Sequence, residues 1–175
     1  NHVLRIAHFC RLLAEALQLS PRICDDIDLA APMHDIGKVG SPDRILLKVG
    51  PLDEREMEIM KEHPVIGYEI LKDSPSRYIT LGAEIALSHH EKYDGTGYPN
   101  GLKGEDIPLA GRIVAVADVY DALTTRRPYK DAWPIEDAVA YIRNASGTHM
   151  DPDVVEAFLE NLDKVTEIQS KLSDD

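Results

Sequence analysis

The stretch LAAPMHDIGK, residues 29–38, sets a histidine and an aspartate in an apolar segment with helical character. Burying the ionised Asp35 carboxylate is costly unless a cation or hydrogen bonds compensate it. Successive helix residues point roughly 100° apart, so His34 and Asp35 can approach one metal ion from adjacent sides while Asp35 bridges to a second. The alternative is an imidazole–carboxylate pair held by hydrogen bonds alone, and the dipeptide by itself does not decide between them.

Helical periodicity continues on both sides of this stretch. One apolar stripe of a first helix steps by three or four residues through His2, Ile6, Phe9, Leu13 and Leu17. Sustained alternation of apolar and polar residues is not found in the sequence, so the pattern predicts an all-α fold. At 175 residues the chain is the size of one domain, which we expect to span residues 1–175.

Three local expectations follow from proline, glycine and polar residues. A second helix should run from Ser20-Pro21 to about Ile36, with a kink where Pro32 removes one backbone bond. The glycine-rich segment 92–108 should be a long functional loop. The polar segment 163–175 should be a frayed tail.

Composition limits the classes of partner. The formal net charge of -12 disfavours binding to a nucleic acid polymer. The sequence contains neither a membrane-length apolar window nor a signal peptide, and Cys10 and Cys24 are expected to be reduced core residues. We therefore expect a cytoplasmic domain without membrane contact. Because the chain starts at Asn1 rather than Met, we expect a fragment of a longer protein with an upstream sensor or receiver domain.

Further histidines and one aspartate lie at positions suited to a metal centre. His63 precedes a proline between two helices, His89-His90 ends a helix, and Asp118 lies in an apolar helix. Taken singly, His63 would be a helix cap or a surface residue, and the histidine pair would more often be partly solvated than bound to a metal. The combined set contains nitrogen and oxygen donors without thiolate, which suits iron or manganese better than structural zinc. Its members are His2, His34, Asp35, His63, His89, His90 and Asp118.

The order and spacing of these residues resemble the HD-GYP family of the HD phosphohydrolase superfamily over nearly the whole chain. The loop directly after the histidine pair contains Gly97-Tyr98-Pro99, and we call it the GYP loop. It is the most specific part of the match. The matching positions are His2 with Arg5, residues 34–38, 62–64, 89–91, 94–99, 101–104, 107–108, 118–123 and 127–130.

The resemblance implies a single-domain helical bundle with a central metal centre and a long GYP loop. It assigns His2, His34, Asp35 and Asp118 to the metal ligands of the superfamily, and His63, His89 and His90 to the additional ligands of the HD-GYP branch. Asp35 would bridge the ions and, with Lys38 at the scissile phosphate, form the catalytic pair. The other implied substrate-binding residues are Tyr98, Arg127 and Lys130.

Three further residues near this set are not assigned to the metal ligands. Asp121 follows Asp118 by three positions, so it could orient a metal ligand or be a solvated helix carboxylate. His8 and His149 are expected to be structural or exposed.

The implied activity is metal-dependent hydrolysis of cyclic di-GMP, a bacterial signalling nucleotide, to linear pGpG and then GMP. The implied cofactors are two divalent ions, iron or manganese, with nickel, cobalt or zinc as alternatives. A third ion in the full-length protein stays open, because some members hold it with a glutamate four residues before the position of His2. The alternative functions are a cyclic di-GMP-binding module that contacts a protein partner through the GYP loop, and an HD phosphohydrolase for another nucleotide.

Overall fold

The computed structural model describes residues 1–174, which form α-helices joined by loops and short 3₁₀ turns. The helices are α1 (His2–Ala16), α2 (Pro21–Ala30), α3 (Asp43–Leu46), α4 (Glu54–Met60), α5 (His63–Leu71), α6 (Arg77–Ser88), α7 (Leu109–Thr124), α8 (Ile135–Asn144), α9 (Pro152–Glu160) and α10 (Leu162–Lys171). The 3₁₀ turns are Ala31–Met33, Ile36–Gly40 and Gly104–Asp106. The predicted all-α fold is confirmed.

Helix α7 is the central element of the hydrophobic core. Its residues Ile113, Val116 and Tyr120 are fully buried, and it packs against α1, α6, α8 and α9. An α-helix that is apolar on most sides must be surrounded by other elements. Asp118 of α7 is thereby fixed next to the core, where its side chain is half-buried.

Helix α1 buries the apolar stripe that the sequence predicts. Ile6, Phe9 and Leu13 are buried in the core, and His2 lies half-buried at the first turn. The stripe therefore fixes the side of the helix on which His2 lies.

The second helix ends earlier than predicted. It stops at Ala30 and continues as the Ala31–Met33 turn, in which the backbone N–H of His34 donates to the carbonyl of Ala31 at 3.2 Å. Proline lacks an N–H and its ring clashes with the carbonyl four residues earlier, so Pro32 ends the α-helix instead of kinking it. His34 and Asp35 consequently lie in a tight turn between two 3₁₀ segments.

The polar C-terminal segment is helical instead of frayed over α10. Val165 is buried, Ile168 packs against the core, and the hydroxyl of Tyr120 donates to Oε1 of Gln169 at 2.8 Å. The segment is amphipathic, so its few apolar residues form one face that packs on α1.

The two ends of the described chain meet beside α1. Nδ2 of Asn1 donates to the carbonyl of Ser173 at 2.6 Å. None of the helices between residues 1 and 174 has the length and apolar character needed to cross a bilayer.

Candidate metal centre

Five separate elements bring the seven predicted ligands to one region. The contributing residues are His2 at the start of α1, His34 and Asp35 in the turn after α2, His63 at the start of α5, His89 and His90 after α6, and Asp118 in α7. His63 begins a helix with Pro64 at its second position, where the missing N–H of proline costs nothing. Helix ends thus direct several of these side chains inward.

The seven residues form two groups that share Asp35. The ligand atoms within each group all lie within 4.8 Å of one another. One group is His2, His34, Asp35 and Asp118, and the other is Asp35, His63, His89 and His90. A carboxylate has two oxygens, so Asp35 can face both groups at once.

The two oxygens of Asp35 face different neighbours. Oδ2 lies 3.2 Å from Nε2 of His34, whereas Oδ1 lies 3.5 Å from Nε2 of His89 and 3.9 Å from Nδ1 of His63. Nε2 of His34 also lies 3.4 Å from Oδ1 of Asp118. These separations leave space between donor atoms that point toward one another.

Several of these buried atoms have no hydrogen-bond partner within residues 1–174. They are Nε2 of His34, Oδ1 of Asp35, Nδ1 of His63 and Nε2 of His89. Buried polar atoms are normally paired, so a cluster of unpaired donors and acceptors indicates a missing ligand. Imidazole nitrogen and carboxylate oxygen together suit a divalent cation, and this donor set therefore fits a metal ion.

Backbone carbonyls fix the orientation of two imidazoles. Nδ1 of His34 donates to the carbonyl of Ala31 at 2.8 Å, and Nδ1 of His89 lies 3.1 Å from the carbonyls of Ile85 and Ala86. Since a carbonyl only accepts, the proton is on Nδ1 and Nε2 faces the centre. This is the arrangement that metal-binding histidines use.

Electrostatics favour positive charge between the two carboxylates. Burial opposes ionisation of both, but close contacts with His34 and His89 outweigh it, holding the pKa of Asp35 well below its usual range and lowering that of Asp118 to about 2. Burial also opposes the charged form of His34, yet Asp118 and Asp35 raise its pKa to about 10. In the metal-free protein a proton on His34 supplies the compensating charge.

Two histidines of the other ligand group, His63 and His90, are held in the neutral form. Burial, which penalises the charged form, lowers the pKa of His63 to about 4 and that of His90 to about 2, and the neighbouring histidines further disfavour a positive charge there. Neutral imidazole is the form that binds metal ions. These two side chains therefore need no deprotonation at neutral pH.

Asp121 contacts His2, one of the half-buried members of the set. Nδ1 of His2 donates to Oδ2 of Asp121 at 2.6 Å, and Nε of the buried Arg5 donates to Oδ1 at 2.5 Å. Hydrogen bonds from both partners outweigh burial and lower the pKa of Asp121. Of the two interpretations of Asp121, the geometry supports the one in which it orients a neighbour.

The GYP loop closes over the histidine pair. The Tyr98 ring stacks on the His90 ring with centroids 4.9 Å apart and planes 13° apart, and the N–H of Tyr98 donates to the carbonyl of His90 at 3.2 Å. A Cβ on Gly97 would lie 2.3 Å from the nitrogen of Lys92, so this contact requires glycine. Burial raises the pKa of Tyr98 to about 12, so its hydroxyl keeps its proton.

Glu91 anchors this loop and was missed as a functional residue. The buried carboxylate accepts hydrogen bonds from the N–H groups of Asn100 at 2.9 Å and Leu102 at 3.1 Å. An acidic residue directly after the histidine pair and before a glycine-rich loop was the available signal.

The predicted substrate-binding cations lie on two different elements, the Ile36–Gly40 turn and a turn after α7. Nζ of Lys38 lies 3.1 Å from Oδ2 of Asp35, and its side chain is 39% exposed. Arg127 and Lys130 are exposed on a turn after α7, joined by backbone hydrogen bonds of 2.8 and 3.1 Å. Nζ of Lys61, which the sequence did not single out, lies 5.1 Å from the Tyr98 ring centroid.

His8 is exposed and His149 half-buried, and neither belongs to either ligand group.

Comparison with known proteins agrees with this geometry. The HD domain family matches residues 1–154. The chain belongs to the HD domain family. The Gly97-Tyr98-Pro99 loop after the histidine pair places it in the HD-GYP branch, as predicted. HD domains bind divalent metal ions, and the clustered histidines and aspartates provide a suitable donor set.

Curated relatives match almost the whole HD domain described above. A cyclic di-GMP phosphodiesterase response regulator, RpfG, of Xanthomonas campestris pv. campestris is 52% identical over 97% of this chain and 45% of its own length. A 3'3'-cGAMP-specific phosphodiesterase 2 of Vibrio cholerae is 46% identical over 99% of this chain and 33% of its own length. The chain thus spans less than half of each relative.

Solved structures share the fold. The crystal structure of a cyclic GMP-AMP specific phosphodiesterase of V. cholerae, V-cGAP3, superposes with a TM-score of 0.72 over 99% of this chain and 46% of that chain. Its sequence identity is 23%, so the comparison confirms the helical HD architecture alone.

Proposed function

We propose that the chain is the catalytic domain of a metal-dependent phosphodiesterase that hydrolyses cyclic di-GMP. The observation that supports this most is the pair of ligand groups joined through Asp35. Two adjacent cation sites are the arrangement used for in-line displacement at phosphorus. The 52% identity to a protein named as a cyclic di-GMP phosphodiesterase supports the choice of substrate.

The two groups would hold two divalent cations, iron or manganese in preference to nickel, cobalt or zinc. His2, His34 and Asp118 would bind one, His63, His89 and His90 the other, and Asp35 both. Bound there, the cations would supply Lewis acidity, lowering the pKa of water and neutralising charge on phosphoryl oxygens.

Lys38 and Asp35 would form the catalytic pair at the scissile phosphate. The Lys38 ammonium is held by Asp35 at one side and keeps donors free toward solvent. Those donors can stabilise negative charge that develops on a phosphoryl oxygen. Asp35 positions Lys38 in addition to holding the cations.

The remaining substrate contacts would come from Tyr98, Arg127 and Lys130. Cyclic di-GMP carries two phosphates, and a chain with a formal net charge of -12 must attract them through local cations. Arg127 and Lys130 would hold the phosphate that is not cut. The Tyr98 hydroxyl, which stays protonated, can donate to the ligand.

A second substrate has specific support. The relative named as 3'3'-cGAMP-specific is 46% identical over 99% of the chain, so cyclic GMP-AMP is the competing ligand. Purified protein loaded with Mn²⁺ or Fe²⁺ should be given each cyclic dinucleotide and its products separated by chromatography. We expect a higher kcat/KM for cyclic di-GMP, with pGpG formed first and GMP later. A higher kcat/KM for 3'3'-cGAMP would overturn the substrate assignment.

The same assay addresses two further alternatives. Tight binding of cyclic di-GMP without products would favour a binding module that uses the GYP loop to contact a protein partner. Hydrolysis of neither dinucleotide, with turnover of another nucleotide, would favour a different HD phosphohydrolase. We also propose that the protein is cytoplasmic. Since the chain spans less than half of each relative, we propose that the full protein has a sensor or receiver domain upstream of this one.

A further inference from the structure

Arg5 is a buried cation that does not belong to either ligand group. Its Nε donates to Oδ1 of Asp121 at 2.5 Å, and its Nη2 lies 3.3 Å from Oδ2 of the same carboxylate. Both side chains are almost fully buried. The guanidinium therefore contacts both oxygens of Asp121, which restricts rotation of the carboxylate.

The other edge of the Arg5 guanidinium is held by the segment 172–174, which we call the C-terminal strap. Nη1 donates to the carbonyl of Leu172 at 2.8 Å and to Oδ1 of Asp174 at 3.0 Å, and Nη2 donates to Oδ2 of Asp174 at 3.0 Å. Arg5 consequently lies between α7 and the strap, with hydrogen bonds to both.

His2 depends on this arrangement more than the other ligands do. The Nδ1 atoms of His34 and His89 contact backbone carbonyls three or four residues earlier, which local structure fixes. Nδ1 of His2 instead donates to the Asp121 side chain, and the His2 side chain is 38% exposed. Since His2 lies in the first turn of α1, its ring orientation follows the position of the Asp121 carboxylate.

We propose that Arg5 is a positioning residue for the metal group that contains His2, and that the C-terminal strap holds Arg5 in place. The inference rests on the proposed metal centre. Arg5 acts through Asp121 on the orientation of the His2 ring and does not itself bind the metal or the substrate. The second group, built on His63, His89 and His90, is not linked to Arg5 through Asp121, so the effect is selective for one group.

Mn²⁺ binding to the metal-free protein, followed by electron paramagnetic resonance of the free ion, tests the inference. Wild type should show two binding events per chain. Arg5→Met should weaken one of them by roughly 10-fold, the low end of the range for loss of an outer hydrogen-bond partner of a metal ligand, because Arg5 acts one step further out, through Asp121. The other should change less than about two-fold. Arg5→Lys keeps the positive charge but loses the bidentate contact that the guanidinium makes with Asp121. Its Mn²⁺ affinity in the affected binding event should therefore lie between those of wild type and Arg5→Met.

The strap is tested separately because Asp174 is 47% exposed and its replacement leaves the core intact. Asp174→Asn should weaken the same binding event by roughly two- to five-fold, the range of an exposed ion pair. Arg11→Met is the matched control, since Arg11 lies on the same helix and pairs with Asp25 away from the centre. It should leave both events unchanged.

A double variant separates positioning from loss of stability. If Arg5 acts through His2, adding Arg5→Met to His2→Ala should not weaken Mn²⁺ binding further. An additive loss, or equal weakening of both events in Arg5→Met, would show a general structural role and overturn the inference. An unchanged Asp174→Asn isotherm would overturn the part played by the strap. A wild type that binds no Mn²⁺ would overturn the metal centre itself, and this inference with it.

Discussion

Asp35 is the residue on which both ligand groups depend. Its two oxygens are directed to different histidines, and the pKa of its carboxyl is held well below the usual range by them. Asp35→Asn keeps the shape but removes the negative charge that two cations would share. We expect both ions to be lost, with affinity lowered by at least roughly 100-fold, and hydrolysis to be abolished.

Elemental analysis and the chromatographic assay measure these two effects. His8→Ala is the control, because His8 is exposed and outside both groups. Equal losses in the two variants would contradict the assignment of Asp35.

The raised pKa of His34 predicts a pH dependence of metal binding. In the metal-free protein the pKa of His34 is about 10, so near neutral pH its Nε2 carries a proton that a metal ion must displace. Affinity should therefore rise with pH up to about 10, with about one proton released from His34. Calorimetry in buffers of different ionisation enthalpy counts the protons.

The stability of the metal-free protein should change in the opposite direction. The folded-state pKa of His34 lies above the ordinary value of 6.5, so its contribution is complete below pH 6.5 and is lost as pH rises toward 10. Chemical denaturation across this range measures the loss.

The control for the proton release on metal binding is His8→Ala, which should release as many protons as wild type. A wild-type protein that releases no proton when it binds a metal ion would contradict the role of His34.

The candidate ligands could be predicted from the sequence, but the residues that orient them and hold the GYP loop could not. Buried histidines and aspartates are visible in sequence because ionisable side chains in apolar segments need partners. Arg5 and Glu91 were not assigned roles, because their partners are the distant Asp121 and backbone N–H groups of the GYP loop. Such contacts depend on tertiary structure.

At the level of elements, the contact between the Ile36–Gly40 turn and α5 holds the two ligand groups together. A Cβ on Gly37 would lie 1.8 Å from the carbonyl oxygen of His63 and 2.6 Å from the nitrogen of Gly67, both of them backbone atoms. Gly37→Ala should therefore lower the free energy of unfolding by about 2–3 kcal/mol and weaken metal binding. Urea denaturation and Mn²⁺ titration measure both.

Gly40→Ala in the same turn is the matched control. Its Cβ would meet the side chain of Ile66 at 3.0 Å, which can move aside. We expect a change of less than about 1 kcal/mol. If both variants are equally stable, the turn is not as closely packed against α5 as the structure indicates.

The turn after α7 carries the two cations assigned to the second phosphate. Arg127→Ala and Lys130→Ala should raise KM more than they lower kcat, because a contact to the phosphate that is not cut contributes to binding in ground and transition states alike. Metal content should stay at the wild-type value. Arg22→Ala, an exposed arginine on α2, makes the same change in net charge and should have no effect. Unchanged affinity for the dinucleotide in both turn variants would remove them from the site.

Most elements could be predicted from sequence, and the errors have physical causes. Helix α2 begins at Pro21, where the sequence predicts it, and the Ser20 side chain caps it by accepting from the N–H of Ile23. The end of α2 was misplaced because a proline can either kink or end a helix, and only packing decides which. Helix α10 was missed because its amphipathic face is narrow and its stability comes from packing on α1.

For the whole molecule, the contact between Asn1 and Ser173 has a consequence for connectivity. The ends of the described chain are already adjacent, so a short glycine-serine linker could join them with little strain, and new termini could open in the exposed segment between Gly50 and Pro51. Such a circular permutant should fold, melt within a few degrees of the original chain as followed by circular dichroism, and bind as much Mn²⁺. The same linker with termini opened inside α7, between Ala115 and Val116, should not fold. Success of the first and failure of the second would show that the arrangement of helices around α7, and not their order along the chain, specifies this domain.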